Sequence, residues 1–166
     1  MNENIEDKIK AECTRLWKEA FKDSDEFISQ FIEHHYCEEN MLYIENDGKL
    51  SSMLHTIPFE LNGAPVAYIY AVATDRKERG KGHATKLIQK AIEKAKKEGY
   101  KAIITLPASK GLKKFYSCFG FKGEYAVKFE TPDNFDFGTG ESKKDIATAI
   151  ILDNDMQLPA IFNLKK

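Results

Sequence analysis

Apolar residues in the first part of the chain recur with a helical period. Ile9, Cys13, Leu16, Trp17 and Ala20 lie three and four residues apart within 6–20, which predicts an amphipathic helix with a charged outer face. Ser24 offers an N-cap to a second helix carrying Phe27, Ile28, Phe31, Ile32 and His35. From Met41 the pattern changes. "MLYIE", "KLSSMLHTIPFEL" and "APVAYIYAVA" read as three consecutive antiparallel strands, joined as hairpins through Asn46-Asp47-Gly48 and Asn62-Gly63. Pro58 and Pro65 have no N–H to give to a ladder, so they belong at edges, bulges or strand starts.

The polar run "TDRKERGKG" then leads into the most regular stripe of the chain, Ala84, Leu87, Ile88, Ala91, Ile92 and Ala95. Lys96 and Lys97 complement the dipole in its last turn, and Gly99 takes the C′ position. "KAIITLP" follows as a buried strand, then a short helix from about Ser109 to Phe119 ended by Gly120, then the strand "EYAVKFE". The loop "TPDNFDFGTGESKK" separates it from a last strand, "DIATAIIL". The predicted order is two N-terminal helices, three antiparallel strands, then helix, strand, helix and two strands. That is a mixed α/β (α+β) sheet without internal repeats or low-complexity tracts.

Length and charge narrow the picture. At 166 residues and 42% hydrophobic, the chain is expected to form a single domain over residues 1–166. Its 25 basic and 26 acidic residues give a net charge of −1, which argues against nucleic-acid or membrane partners, so any anion must be bound locally. Cys13, Cys37 and Cys118 are odd in number and lack metal-type pairing, which fits core or semi-buried thiols in a reducing compartment. His34, His35, His55 and His83 lack ligand spacing, so no metal is expected. There is no apolar run of membrane-spanning length, and "MNENIEDKIK" has no targeting pattern, so the expected location is cytoplasmic.

Candidate chemistry concentrates in "RGKGHA", residues 79–84. A helix N-terminus carries unpaired N–H groups and partial positive charge, and glycines just before it let an anion approach the backbone. Gly80 and Gly82 sit there, with Arg76, Lys77, Arg79 and Lys81 against only Asp75 and Glu78. A phosphate or pyrophosphate is the natural guest; the alternative is a tight strand-to-helix connection with solvated lysines. A GxxxxGK[ST] phosphate loop is absent. A dinucleotide fingerprint fails because Thr85 stands where the third glycine is needed and a hairpin, not a βαβ unit, lies upstream.

Two motifs in register carry a resemblance. Lys77, Glu78, Arg79, Gly80, Lys81 and Gly82 fall on a (Gln/Arg)-x-x-Gly-x-(Gly/Ala) loop, and Phe115, Tyr116, Gly120 and Phe121 on an "FY-x-x-x-GF" helix ending about thirty-five residues further on. With the order of elements around them, they resemble the GNAT superfamily of acetyl-CoA-dependent N-acetyltransferases. "SMLHTIPFELNG" and "YAVATD" look most like the enhanced-intracellular-survival-type branch. The chain departs from the family pattern in three ways. Lys77 replaces Gln or Arg, Ser109 and Leu112 stand where many members carry Asn and Ala, and "MNENI" is barely long enough for the usual first strand.

The resemblance implies a GNAT-like fold, acetyl-CoA as acetyl donor, a primary amine of a small molecule or peptide as acceptor, and no metal. It places the backbone of Ala71 and Val72 on the pantetheine arm and thioester, Ser109 beside that arm, and Lys77, Arg79, Gly80, Lys81, Gly82, His83 and Ala84 on the pyrophosphate. Tyr116 takes the general-acid position in a direct attack of the amine on the thioester; a phenol with a reference pKa of about 10 can protonate a departing thiolate. By its pattern alone Tyr116 also fits a core residue. The general base is left between Glu60 and a water chain. Lys110, Lys113 and Lys114 suit either the 3′-phosphate or a charged helix face. Phe135 and Phe137, interleaved with Asp133, Asp136 and Glu141, make either a solvated loop or a border of the amine site. A catalytically silent acyl-CoA-binding regulatory module is the alternative function, and the oligomeric state stays open, a homodimer included.

Overall fold

The structure is a computed structural model that describes residues 2–138 and 145–166, with side chains from Ile5 onward. Its elements are α1 (Asn2–Ala20), α2 (Asp25–His34), β1 (Met41–Asn46), β2 (Lys49–Leu61), β3 (Ala64–Thr74), α3 (His83–Lys97), β4 (Ala102–Thr105), α4 (Lys110–Ser117), β5 (Lys122–Glu130), β6 (Ile146–Ile151) and β7 (Ile161–Lys165). The strands form a mixed sheet in the order β1-β2-β3-β4-β6-β5-β7. This is the predicted order with β7 added. "MNENI" supplies no strand, because α1 already begins at Asn2.

The chain folds as two compact units. The first comprises Met1–Thr56 and Ala71–Ala91. Here Ser24 caps α2, its hydroxyl oxygen accepting from the Phe27 N–H at 3.1 Å. Trp17 packs on Phe31 with ring centroids 4.9 Å apart, and its indole N–H donates to Asp23 at 2.8 Å. The predicted stripe of α1 is buried at Ile9, Cys13, Leu16 and Trp17. The β1–β2 hairpin pairs Met41 with His55 through to Asn46 with Lys49. Asp47 and Gly48 both adopt positive φ, as a two-residue hairpin turn of this kind demands. Of the three thiols only Cys13 is buried. Cys37 and Cys118 are exposed, contrary to the expectation of core or semi-buried thiols: Cys37 stands at the N-cap of the short helical turn Glu38–Asn40, which buries no residue, and Cys118 at the C-cap of α4.

The second unit comprises Ile57–Tyr70 and Ile92–Lys166. β3 runs parallel to β4 from Val66↔Ala102 to Ile69↔Thr105, β6 is antiparallel to β4 and β5, and β7 is parallel to β5. β7 also pairs with the end of β2 at Glu60↔Lys165 and Leu61↔Leu164, closing the strands on one another and removing an open edge. Pro58 falls in the interval of β2 between its ladder to β1, which ends at His55, and its ladder to β7. Phe59, Tyr68, Phe129 and Phe137 form one aromatic cluster, and the Tyr68 hydroxyl donates to the Phe137 carbonyl at 2.7 Å. Phe135 and Phe137 are therefore buried, not part of a solvated loop: their rings have apolar partners that the surrounding charges concealed. Glu141 lies outside the described residues.

Candidate functional site

The glycine loop belongs to the first unit. Ala71, near the end of β3, has φ +53, a left-handed conformation uncommon for a residue with a Cβ. Two residues earlier, at Ile69↔Thr105, the ladder with β4 has ended. The chain then makes a short helical turn at Arg76–Glu78, with the Asp75 carboxylate accepting from the Lys77 N–H at 2.9 Å. Gly80 and Gly82 both have φ +80, and a Cβ built on either would meet nothing within 4 Å, so the backbone there faces open space. The first bond of α3 runs from the Lys86 N–H to the Gly82 carbonyl at 3.1 Å, leaving the N–H groups before it without an intrahelical acceptor. No carboxylate stands in the first turn of α3 to compete for them.

The charges around the loop are more ordered than composition implies. The Lys81 ammonium pairs with Glu78, which also accepts from Asn46 at 3.2 Å and Ser51 at 3.3 Å. The bonds from Lys81 and Asn46 hold the Glu78 carboxyl down to about 2. Arg79 donates to the Thr74 carbonyl at 3.3 Å, and Arg76 and Lys77 are exposed. Predicted pyrophosphate residues Lys77, Arg79, Gly80, Lys81, Gly82, His83 and Ala84 thus fall on one continuous stretch from this turn into α3, and half-buried Ala71 and Val72 lie upstream of it at the end of β3.

Tyr116 lies in the second unit, on α4. That helix starts because the Ser109 hydroxyl oxygen accepts from the Leu112 N–H at 3.1 Å, which gives Ser109 a capping role. Tyr116 is buried against Phe115 and Phe121 and hydrogen-bonded to the Thr105 side chain. The Thr105 hydroxyl also donates to the Ile69 carbonyl at 3.1 Å. Burial pushes the Tyr116 phenol up to about 12, outweighing the opposing pull of Thr105. A phenol so placed keeps its proton at neutral pH. Thr105 escaped sequence reasoning; its only signal was a lone hydroxyl in the apolar run "KAIITLP".

Other candidates fare differently. Glu60 is exposed and shares a groove with Pro65 and Lys165 at the start of β3, whereas Thr105 pairs with Ile69. Four residues of strand, roughly 13 Å, separate those positions, more than a carboxylate side chain spans. Lys113 is paired with Glu124. His55 contacts Cys13 (Nε2 to Sγ 3.6 Å) with both side chains buried; burial pushes the thiol up to about 12 and the imidazole down to about 3. Among the described residues no three His, Cys, Asp or Glu side chains cluster as metal ligands, and no helix is long and apolar enough to cross a membrane.

An open glycine loop at a helix N-terminus fits the class of enzymes that take a phosphate-bearing donor. Residues 3–123 match the family model for the acetyltransferase (GNAT) domain, and the chain belongs to that family. Solved structures share the fold. The GNAT family N-acetyltransferase YhbS of Escherichia coli, in complex with CoA, is 19% identical with a TM-score of 0.67 over 94% of this chain and 83% of that one. A GNAT family acetyltransferase of Brucella melitensis, in complex with acetyl-CoA, is 17% identical with a TM-score of 0.64, covering 93% and 87%. A GCN5-related N-acetyltransferase of Anabaena variabilis is 22% identical with a TM-score of 0.59; the match covers 76% of this chain but only 31% of that longer one. No curated protein matches the chain significantly.

Proposed function

We propose that this protein is an N-acetyltransferase that moves an acetyl group from acetyl-CoA to a primary amine, with Tyr116 as general acid. The observation that carries this is the Gly80-Lys81-Gly82 loop, left-handed at both glycines, open to solvent and continuous with the N-terminus of α3. Two adjacent phosphates suit such a set of N–H donors, and Arg79 and Lys77 add charge beside them. The backbone at Ala71 and Val72 receives the pantetheine arm, the Val72 N–H facing the developing oxyanion, and Ser109 stands beside the arm. Acetyl-CoA supplies the activated acyl thioester. The amine must be neutral to attack it, although a free alkylammonium titrates near ~10.4. Tyr116 gives its proton to the sulfur as the C–S bond breaks, and Thr105 can turn its hydroxyl from Ile69 toward the phenolate that results. The proton that the amine nitrogen loses on forming the amide restores the phenol through solvent. Within the family we assign the chain to the enhanced-intracellular-survival-type branch on its β2 and β3 residues. A reducing compartment such as the cytoplasm suits the exposed thiols Cys37 and Cys118.

The test is thiol release from acetyl-CoA across a panel of amines, with Tyr116→Phe beside the wild type. General-acid loss lowers kcat by about 10²- to 10⁴-fold, while acetyl-CoA affinity holds. Because Tyr116 stays protonated until about 12, wild-type activity climbs with pH as the amine deprotonates. Wild-type turnover in Tyr116→Phe rejects the acid role. Binding of acetyl-CoA without turnover of any amine favours the silent module, and failure to bind acetyl-CoA rejects the function.

A further inference from the structure

The glycine loop does not hold itself. Its approach, Thr74 to Glu78, is strapped to α1 by three side chains on one helical face, Glu12, Arg15 and Glu19. Arg15 sits at the centre. Its Nε and Nη2 donate to Glu12 at 3.0 and 3.1 Å, Nη2 also to the Leu50 carbonyl at 3.0 Å, and Nη1 to Glu19 and to Asp75, each at 3.1 Å. The partners are not idle. Glu12 accepts from the Leu50 N–H at 2.9 Å, Glu19 from the Arg76 N–H at 2.9 Å, and Asp75 from the Lys77 N–H at 2.9 Å. The Asp75 N–H donates to the Ser51 carbonyl at 2.7 Å. One guanidinium thereby fixes the carboxylates that hold two successive N–H groups of the turn.

We infer that Arg15 is a positioning residue for cofactor binding: through Asp75 and Glu19 it presets the Arg76–Glu78 turn, and so aims the N–H groups of Gly80 to Ala84 at the pyrophosphate. The inference rests on the assignment of that loop to pyrophosphate. Exposed ion pairs contribute little to fold stability by themselves. Here, however, the pair lies just upstream of two glycines, the residues with the widest backbone freedom. Ordering their approach before the ligand arrives lowers the ordering cost at binding. Lysine cannot replace the arginine, since one ammonium does not span a bidentate carboxylate, a carbonyl and two further carboxylates.

The experiment compares wild type, Arg15→Lys, Asp75→Asn and the double variant by calorimetric titration with acetyl-CoA, with S-acetylpantetheine, which lacks the pyrophosphate, and by competition with inorganic pyrophosphate. Each single variant weakens acetyl-CoA and pyrophosphate about 5- to 20-fold, the scale of losing one well-placed hydrogen bond. S-acetylpantetheine affinity stays within about twofold, and the double variant is no weaker than the poorer single one. Two results overturn the proposal: unchanged acetyl-CoA affinity in the variants, or equal weakening of acetyl-CoA and S-acetylpantetheine, which marks a general structural role. Asp75→Asn carries the test if Arg15→Lys does not fold. If pyrophosphate fails to compete even in wild type, the loop assignment falls and the Arg15 proposal with it; if it competes equally in wild type and variants, only the proposal falls.

Discussion

Gly82→Ala separates a loop that binds from a loop that merely turns. Gly82 has φ +80, and a Cβ there meets nothing within 4 Å, so the substitution creates no clash in the free protein. The cost is conformational. Left-handed alanine is disfavoured by roughly 1–2 kcal/mol, and the stiffer unfolded chain returns about 0.4–1 kcal/mol. The net loss, at most about 1.5 kcal/mol, lowers Tm by only a few degrees for a chain of this size, at about 2–4 °C per kcal/mol. Binding should suffer more. Either the methyl stands in the open space an anion would enter, or φ relaxes and turns the neighbouring N–H groups away. Losing one hydrogen bond to a charged group, about 1.5–3 kcal/mol, weakens acetyl-CoA by roughly 10- to 150-fold. Gly48→Ala is the control: φ is +77, nothing lies within 4 Å, and the site is the β1–β2 turn. It should lose similar stability and bind acetyl-CoA as wild type does. Titration calorimetry and thermal melts read both variants. Equal acetyl-CoA affinity in the two would refute the reasoning, because strain alone would then account for everything Gly82 does.

Two further outcomes concern the cores. Burial holds His55 neutral, with a pKa of about 3 against an ordinary 6.5, so its contribution is complete above pH 6.5 and is lost as pH falls toward 3. The limit is about 5 kcal/mol; urea unfolding at pH 7 and pH 4 should show a steep acid loss in wild type and a flatter one in His55→Leu, and equal slopes would sink the assignment. Phe137 is fully buried, so Phe137→Ala should cost about 3–5 kcal/mol in urea unfolding. A solvated ring would cost less than about 0.5 kcal/mol.

What could be read in advance had a local cause. The stripes of α1 and α3, the Ser24 cap, the hairpin turns and the glycine loop each declare themselves within a few residues, through period, capping chemistry or positive φ. What could not be read depends on partners far away along the chain. Arg15 and Asp75 are 60 residues apart, Cys13 and His55 are 42 apart, and Tyr68 and Phe137 are 69 apart. β7 is five residues long and joins β5 and β2, neither of which immediately precedes it in sequence. Phe135 and Phe137 stood among aspartates whose charge pattern resembles a loop, while the rings that bury them come from β2, β3 and β5.

The same distinction bears on how the loop would attract the pyrophosphate proposed for it. Counted along the chain, Arg76, Lys77, Arg79 and Lys81 promise a basic patch. In the fold, Lys81 is neutralised by Glu78, and the nearby Arg15 is surrounded by Glu12, Glu19 and Asp75. The charge left is modest and exposed, hence screened over about 8 Å at physiological ionic strength. Backbone N–H groups at a helix terminus are directional, and a carboxylate neutralises them only by lying against them; the first turn of α3 carries none. The acids here bind the approach to the loop and leave its face clear. If the loop takes pyrophosphate as proposed, that division favours a compact anion over a long polyanion, which gains its affinity from many mobile cations.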